Sequence, residues 1–150
     1  MIEKLTNINR KKIMSTQTQN EFMLLFRGDE WYKGLSAEEL QNVMSQFQAW
    51  FDRLSAQGKV KAGQPLVRKG AIVSGKNGRL VSDGPFAESK EAIGGYLLLQ
   101  ADSLEEAVAI AKSNPGLLYG TTIEVRPVAQ ECPLDVLARQ AVREEQLVNA

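Results

Sequence analysis

Two short segments, Glu21–Arg27 (EFMLLFR) and Ile93–Gln100 (IGGYLLLQ), limit what this chain can become more than any other feature. In an extended strand successive side chains point to opposite faces. Phe22, Leu24 and Phe26 then share one face of the first segment, and Met23 and Leu25 the other. In the second segment Ile93, Leu97 and Leu99 oppose Tyr96 and Leu98. A strand that is apolar on both faces belongs in the middle of a sheet, with something packed on each side. The fold must therefore supply two central strands and a cover for both of their faces.

Helix signals follow each of these strands. Ser36 and Glu39 form a capping box, with Leu35 and Leu40 as the hydrophobic staple around it. Leu40, Val43, Met44, Phe47, Phe51 and Leu54 then recur at helical spacing, and Gly58 is placed to end the helix. The spacing predicts about five to six turns with one stripe on the core. Ser103 and Glu106 suggest a second capping box, before Leu104, Ala107, Val108 and Ala111 and a stop at Asn114-Pro115.

The remaining pieces are short. Gly28–Gly34 reads as a loop, and Val60–Leu66 as an extended piece broken by Gly and Pro. Ala71–Ser74 and Arg79–Ser82 flank Lys76-Asn77-Gly78, where Asn-Gly is a strong hairpin signal. Asp83-Gly84-Pro85-Phe86 reads as a turn. Thr121–Arg126 alternates, with Ile123 and Val125 opposite Thr122, Glu124 and Arg126, which suits an edge strand. The order is βαββαβ, an α+β, ferredoxin-like arrangement with an antiparallel sheet whose first and third strands are central. Its two helices cover one face only. A sheet from a second subunit would cover the other, so a homodimer is expected.

Composition closes off several function classes. The 150 residues are one domain's worth, with room for a genuine core. Lys and Arg number 18 against 18 Asp and Glu, which argues against nucleic acid as a partner. No apolar run approaches the ~20 residues that span a bilayer, so no membrane is expected. A single cysteine, Cys132, fits a reducing, cytoplasmic setting. Histidine is absent. That removes the commonest general base and the usual zinc ligand, and no cofactor or metal is expected.

The ends differ from the middle. Residues 1–20 carry Lys4, Arg10, Lys11 and Lys12 against Glu3 and then a polar stretch without period. They read as a flexible leader with no signal-peptide apolar region, and Met14 as an alternative start. Residues 21–128 form the domain. Residues 129–150 read as a C-terminal helical extension, a helix from about Pro133 to Gln146 with Leu134, Leu137, Ala141 and Val148 in a stripe. At about sixteen residues it is marginal alone and should dock on a folded surface, first of all within the dimer.

Residues 83–91 (DGPFAESKE), Ile93-Gly94-Gly95-Tyr96, Ser103-Leu104-Glu105-Glu106-Ala107 and Ile123-Glu124-Val125-Arg126-Pro127-Val128 resemble, in order, the DGPF-type proteins of the YCII-related family. Phe22–Arg27 looks like that family's first strand. The resemblance covers about Glu21 to Val128 and implies a dimeric α+β barrel, two ferredoxin-like sheets face to face. It implies little about activity. Some DGPF proteins are encoded beside extracytoplasmic-function sigma factors, which hints at a regulatory module with a protein partner. More distant relatives are enzymes with a His–Asp pair. With no His here that dyad has no counterpart, and Phe47 stands roughly where the His would fall.

The candidate chemistry follows. Asp83, Gly84, Pro85 and Phe86 could border a pocket, with Asp83 or Glu88 as acid or base and Lys90 as an anion anchor. As packing alone, Asp83 caps a turn and Phe86 plugs the core. Gly94-Gly95 inside a strand suggests a bulge, or close approach of a ligand or another backbone. Arg126 could bind a carboxylate or phosphate, or pair across strands with Glu124 and Arg27. The expectation is one pocket at Asp83–Phe86, Glu88, Lys90 and Gly94-Gly95 that also sees Arg126. Asp29, Glu30, Trp31 and Tyr32 could line a slot for a flat ligand, or anchor their loop on the adjacent helix. Cys132 has no group to activate it. Three functions compete: a small-molecule binding or regulatory module, a lyase or isomerase acting on a carbonyl or lactone-like compound, and a purely structural dimer scaffold. The second needs a carboxylate of raised pKa, with Asp83, Glu88 and Glu124 as candidates.

Overall fold

The structure is a computed structural model, and it describes residues 20–28, 30–85 and 92–150. The leader expected over residues 1–20 falls outside these residues, except for Asn20.

Strand β1 (Glu21–Arg27) leads into helix α1 (Ala37–Ala56), then β2 (Val60–Pro65). A hairpin of β3 (Gly70–Ser74) and β4 (Leu80–Gly84) follows, then β5 (Ile93–Gln100), α2 (Leu104–Lys112) and β6 (Thr122–Pro127). Helix α3 (Pro133–Val148) is the last element. The main sheet runs β2-β5-β1-β6, antiparallel throughout, with β3 and β4 as a separate two-stranded sheet. Stripped of that hairpin, this is the ferredoxin-like order, and the two strands apolar on both faces are the two central ones.

Local chemistry explains the boundaries. At the start of α1 the Ser36 hydroxyl accepts from the Glu39 N–H (3.2 Å), and the Glu39 carboxylate accepts from the Ser36 N–H (2.7 Å). Gly58, at φ +70°, takes the left-handed step that ends the helix. Asn77 (φ 61°) and Gly78 (φ 67°) supply the two left-handed residues that a tight hairpin wants. The second capping box is only half formed. Ser103 accepts from the Glu106 N–H, but the Glu106 carboxylate turns to the Asp102 N–H (2.7 Å) and pairs with Lys59. Besides the hairpin loop at Lys76–Gly78, two loops tighten into 3-10 turns, Trp31–Gly34 and Pro115–Tyr119. Asn114 caps the second by accepting from the Gly116 N–H (2.9 Å).

Both helices lie on one face of the sheet. Phe22, Leu24, Leu97 and Leu99 meet Trp50, Leu54, Ala107 and Ala111 there. Leu24, Leu99 and Val43 are fully buried, and each such side chain contributes roughly 1.5–3 kcal/mol. The core stripe of α1 differs from the expected one. Val43, Trp50 and Leu54 are buried, whereas Met44 and Phe51 are exposed. One residue turns a helix by about 100°, so Met44 and Phe51 stand beside the stripe. Trp50 enters the core because its indole N–H donates to Ser113 Oγ (2.8 Å).

Gly94 is the extra residue of a bulge, since Phe26 pairs with Gly95 but Arg27 with Ile93. The bulge breaks the alternation, and Ile93, expected with Leu97 and Leu99, is exposed. The other sheet face carries Met23, Leu25, Tyr96 and Leu98, and no described element covers it. Helix α3 runs two residues past its expected end. Its stripe is left open, with Leu134, Leu137 and Val148 exposed and no extensive contact to another described element. No described helix is long and apolar enough to cross a membrane.

Candidate functional site

A cavity of about 640 Å³ opens at the end of the sheet where β1 stops and β2 and β5 begin to part. Helix α1 gives it Met44, Phe47, Gln48, Trp50 and Phe51. The end of β1 and the loop after it give Phe26, Arg27, Gly28, Glu30, Trp31 and Tyr32. From β2 and beyond come Gly63, Gln64, Pro65, Leu66 and Arg68, and from β5 come Gly94, Gly95, Tyr96 and Leu97. Thr121, just before β6, completes it. The volume and the mostly apolar wall suit a small organic molecule.

The aromatic side is organised around Trp31. Its ring stacks on Phe47, with centroids 6.0 Å apart and planes at 29°. Tyr32 meets it edge-on at 6.1 Å, and Tyr119 lies tilted at 6.1 Å. The loop is thus anchored on α1 and lines the cavity at once, joining the two roles set against each other from sequence. Flat rings at such spacings offer a face for a planar guest.

The polar side is a rim of ion pairs. Glu30 accepts from Lys33 (2.8 Å) and pairs with Arg68 (3.2 Å). The hydrogen bond from Lys33 holds the Glu30 carboxyl below its ordinary range. Arg27 donates through Nε to Glu124 Oε2 (3.1 Å), and Arg126 lies 3.8 Å from the other oxygen. The Arg27 hydrogen bond likewise pulls the Glu124 carboxyl down. This is opposite to the raised pKa that an acid–base role for Glu124 requires.

Of the expected site residues that are described, only some line this cavity. Gly94 and Gly95 line the cavity. Asp83 and Gly84 end β4, paired with Ala71 and Gly70, and neither they nor Pro85 line it. The Gly84–Pro85 peptide is cis. Gly84 sits against the Ile72 side chain, where a Cβ would collide at 2.3 Å. Glu124 and Arg126 lie on the open sheet face, with Arg27 as the link to the cavity rim. Phe86, Glu88, Lys90 and Asp29 lie outside the described residues. Cys132 is exposed at the start of α3, and no metal-binding cluster occurs among the described residues.

Phe47, Met44, Phe51, Arg68 and Thr121 were not singled out as site residues from sequence. The signal for the first three was the width of the apolar arc on α1. It is broader than a two-layer core needs, and the surplus faces the cavity.

Comparison with known proteins places the chain. The model of the YCII-related domain family matches residues 21–131. The uncharacterized protein R00369 of Rhizobium meliloti (strain 1021) is 35% identical over 99 residues, 63% of this chain and 79% of that protein. Among solved structures, 5-chloro-2-hydroxyhydroquinone dehydrochlorinase (TftG) from Burkholderia phenoliruptrix AC1100, in complex with 2,5-dihydroxybenzoquinone, overlaps with a TM-score of 0.40 at 18% identity. The overlap covers 72% of this chain and 93% of that one. Likeness of that degree gives no guide to activity.

Proposed function

The chain belongs to the YCII-related domain family, a membership that leaves the chemistry to the cavity, and from that cavity we propose a binding module for small, planar, largely apolar molecules. The observation that carries the reading is the stack of Trp31 on Phe47 in the cavity wall. Rings held this way are already ordered, so a flat guest pays little entropy to join them. The guanidinium groups of Arg27 and Arg68 at the rim favour a guest with an electron-rich π face.

The module works as a homodimer in this reading. Met23, Leu25, Tyr96 and Leu98 form an apolar patch on the open sheet face, and a second copy offers the same patch in return. Arg27 and Tyr96 touch both the cavity and that face, so the partner would border the cavity mouth. A regulatory role, such as one in a sigma-factor circuit, would use α3 as the docking element in a cytoplasmic setting. The lyase or isomerase alternative gains nothing from Glu30 or Glu124, whose carboxyls are both held ionised.

The test is titration of the full chain with 2-acetylnaphthalene, followed by two-dimensional amide NMR. Saturable shifts at the Trp31 indole and the Gly28, Gly94 and Gly95 amides are expected. Shifts confined to residues away from the cavity, or none that saturate, would overturn the reading.

A further inference from the structure

Thr121 and Asn114 are buried, at 7% and 3% exposure, and each holds a polar atom without a partner. These atoms are the Thr121 hydroxyl oxygen and the Asn114 amide nitrogen. The Asn114 oxygen is already committed to the Gly116 N–H at 2.9 Å. All of this closes around one point. A Cβ placed on Gly116 would stand 3.0 Å from Asn114 Oδ1, 3.1 Å from Thr121 Oγ1 and 2.8 Å from Phe47 Cζ. The edge of the Phe47 ring, half-buried in the cavity wall, therefore abuts the same backbone as the two polar side chains.

A buried hydroxyl without a hydrogen bond lowers folding stability, and most native structures avoid it. Valine would fill the same space without that penalty. The hydroxyl belongs to a residue that lines the cavity, which points to a partner arriving from the cavity.

We infer that Thr121 is a specificity residue at the inner end of the cavity, its hydroxyl donating to a carbonyl oxygen of the planar guest. The inference rests on the cavity being the binding site and names the ligand class within it: conjugated carbonyl compounds, in preference to hydrocarbons of the same shape. The hydroxyl is sealed in the free protein. Contact with the hydroxyl takes a small shift of the side chains around it, an adjustment of the kind that binding commonly involves. Asn114, with its amide nitrogen unpaired beside Thr121, holds the hydroxyl's neighbourhood polar.

The experiment compares two probes on the full chain, 2-acetylnaphthalene and 2-isopropenylnaphthalene, which share a shape and differ by the carbonyl oxygen. Wild type should bind the ketone about fivefold more tightly, the ratio expected for one neutral hydrogen bond. Thr121→Val should bind the two within about twofold of each other and melt at the same temperature or higher. Thr121→Ser should keep the preference. A preference that survives in Thr121→Val overturns the assignment, as does its absence in wild type. A fall in melting temperature for Thr121→Val also overturns it, because the hydroxyl would then be serving the free fold. If neither probe binds wild type, the cavity reading itself fails, and this inference falls with it.

Discussion

Gly95 stands where β5 runs tight against β2. A Cβ there would sit 3.1 Å from the Gln64 carbonyl oxygen and 3.4 Å from Pro65 Cα, both main-chain atoms held in the ladder. Backbone cannot swing aside as a side chain can. Gly95→Ala is therefore expected to destabilise the protein by about 1–3 kcal/mol, read as a lower urea midpoint at unchanged m-value. The glycine pair was conspicuous in the sequence, because glycine weakens a strand. Which backbone it admits was not, since β2 reaches β5 only through the fold. Thr121 shows the same limit: an unpaired hydroxyl is defined by what surrounds it, and its neighbours come from distant parts of the chain. Glu106 gives a prediction in pH. Its carboxyl is lowered below the usual 4.5, chiefly by the hydrogen bond from Lys59, then by the Asp102 N–H. A carboxyl lowered in the folded state contributes stability that is fully present above its unfolded value and is lost as pH falls through its folded value. Glu106→Gln should therefore cost about 1 kcal/mol near pH 7, and the two proteins should converge in acid below the folded value. A gap that stays constant down through that range would show that the charge plays no part.

Helix α1 carries two jobs on adjacent stripes, and substitutions can separate them. Leu54 belongs to the core stripe, and Met44 to the cavity wall. Leu54→Ala is expected to cost about 2–5 kcal/mol. Met44→Ala, at a side chain 53% exposed, should change stability by less than about 0.5 kcal/mol while weakening 2-acetylnaphthalene binding several-fold. Equal losses of stability at the two positions would mean that the cavity wall is simply core. The limits of α1 were legible in sequence, because Ser36, Glu39 and Gly58 act on bonds within a few residues of themselves. The division of its apolar face was not. Periodicity marks a residue as apolar and on one side, and Met44 and Val43 satisfy that alike. Trp50 was overlooked because its burial depends on Ser113, a residue 63 positions away. The hairpin was legible from Asn77-Gly78, whose left-handed backbone is a local preference. The grouping of Asp83 with Arg126 rested on chemistry without register; in the fold Asp83 belongs to the separate β3–β4 hairpin and Arg126 to the edge strand β6, and neither lines the cavity.

Taken together, the described residues leave one sheet face and one helix stripe uncovered, which invites a second copy, and the two features can be tested together. The open face joins apolar Met23, Leu25, Tyr96 and Leu98 to the charged trio Arg27, Glu124 and Arg126. Two such faces related by a two-fold axis bring like patches together. The expected state at micromolar concentration is a dimer, and sedimentation as a single chain would refute it. Helix α3 adds Leu134, Leu137, Ala141 and Val148 beyond the edge strand β6, with its N-terminal Pro133 and Asp135 suited to a helix start. A helix of 16 residues gains most of its stability from packing, yet this one makes no extensive contact with any described element of its own chain. Its stripe is therefore expected to lie on the partner copy. Truncation after Val128 should weaken the dimer while leaving the core of each chain intact. The melting temperature of the truncated protein should then depend on concentration more steeply than that of the full chain over the same range, as mass action requires of a loosened dimer. If truncation changes neither the dimer nor its melting temperature, the stripe contributes nothing to the assembly, and a different protein becomes its partner.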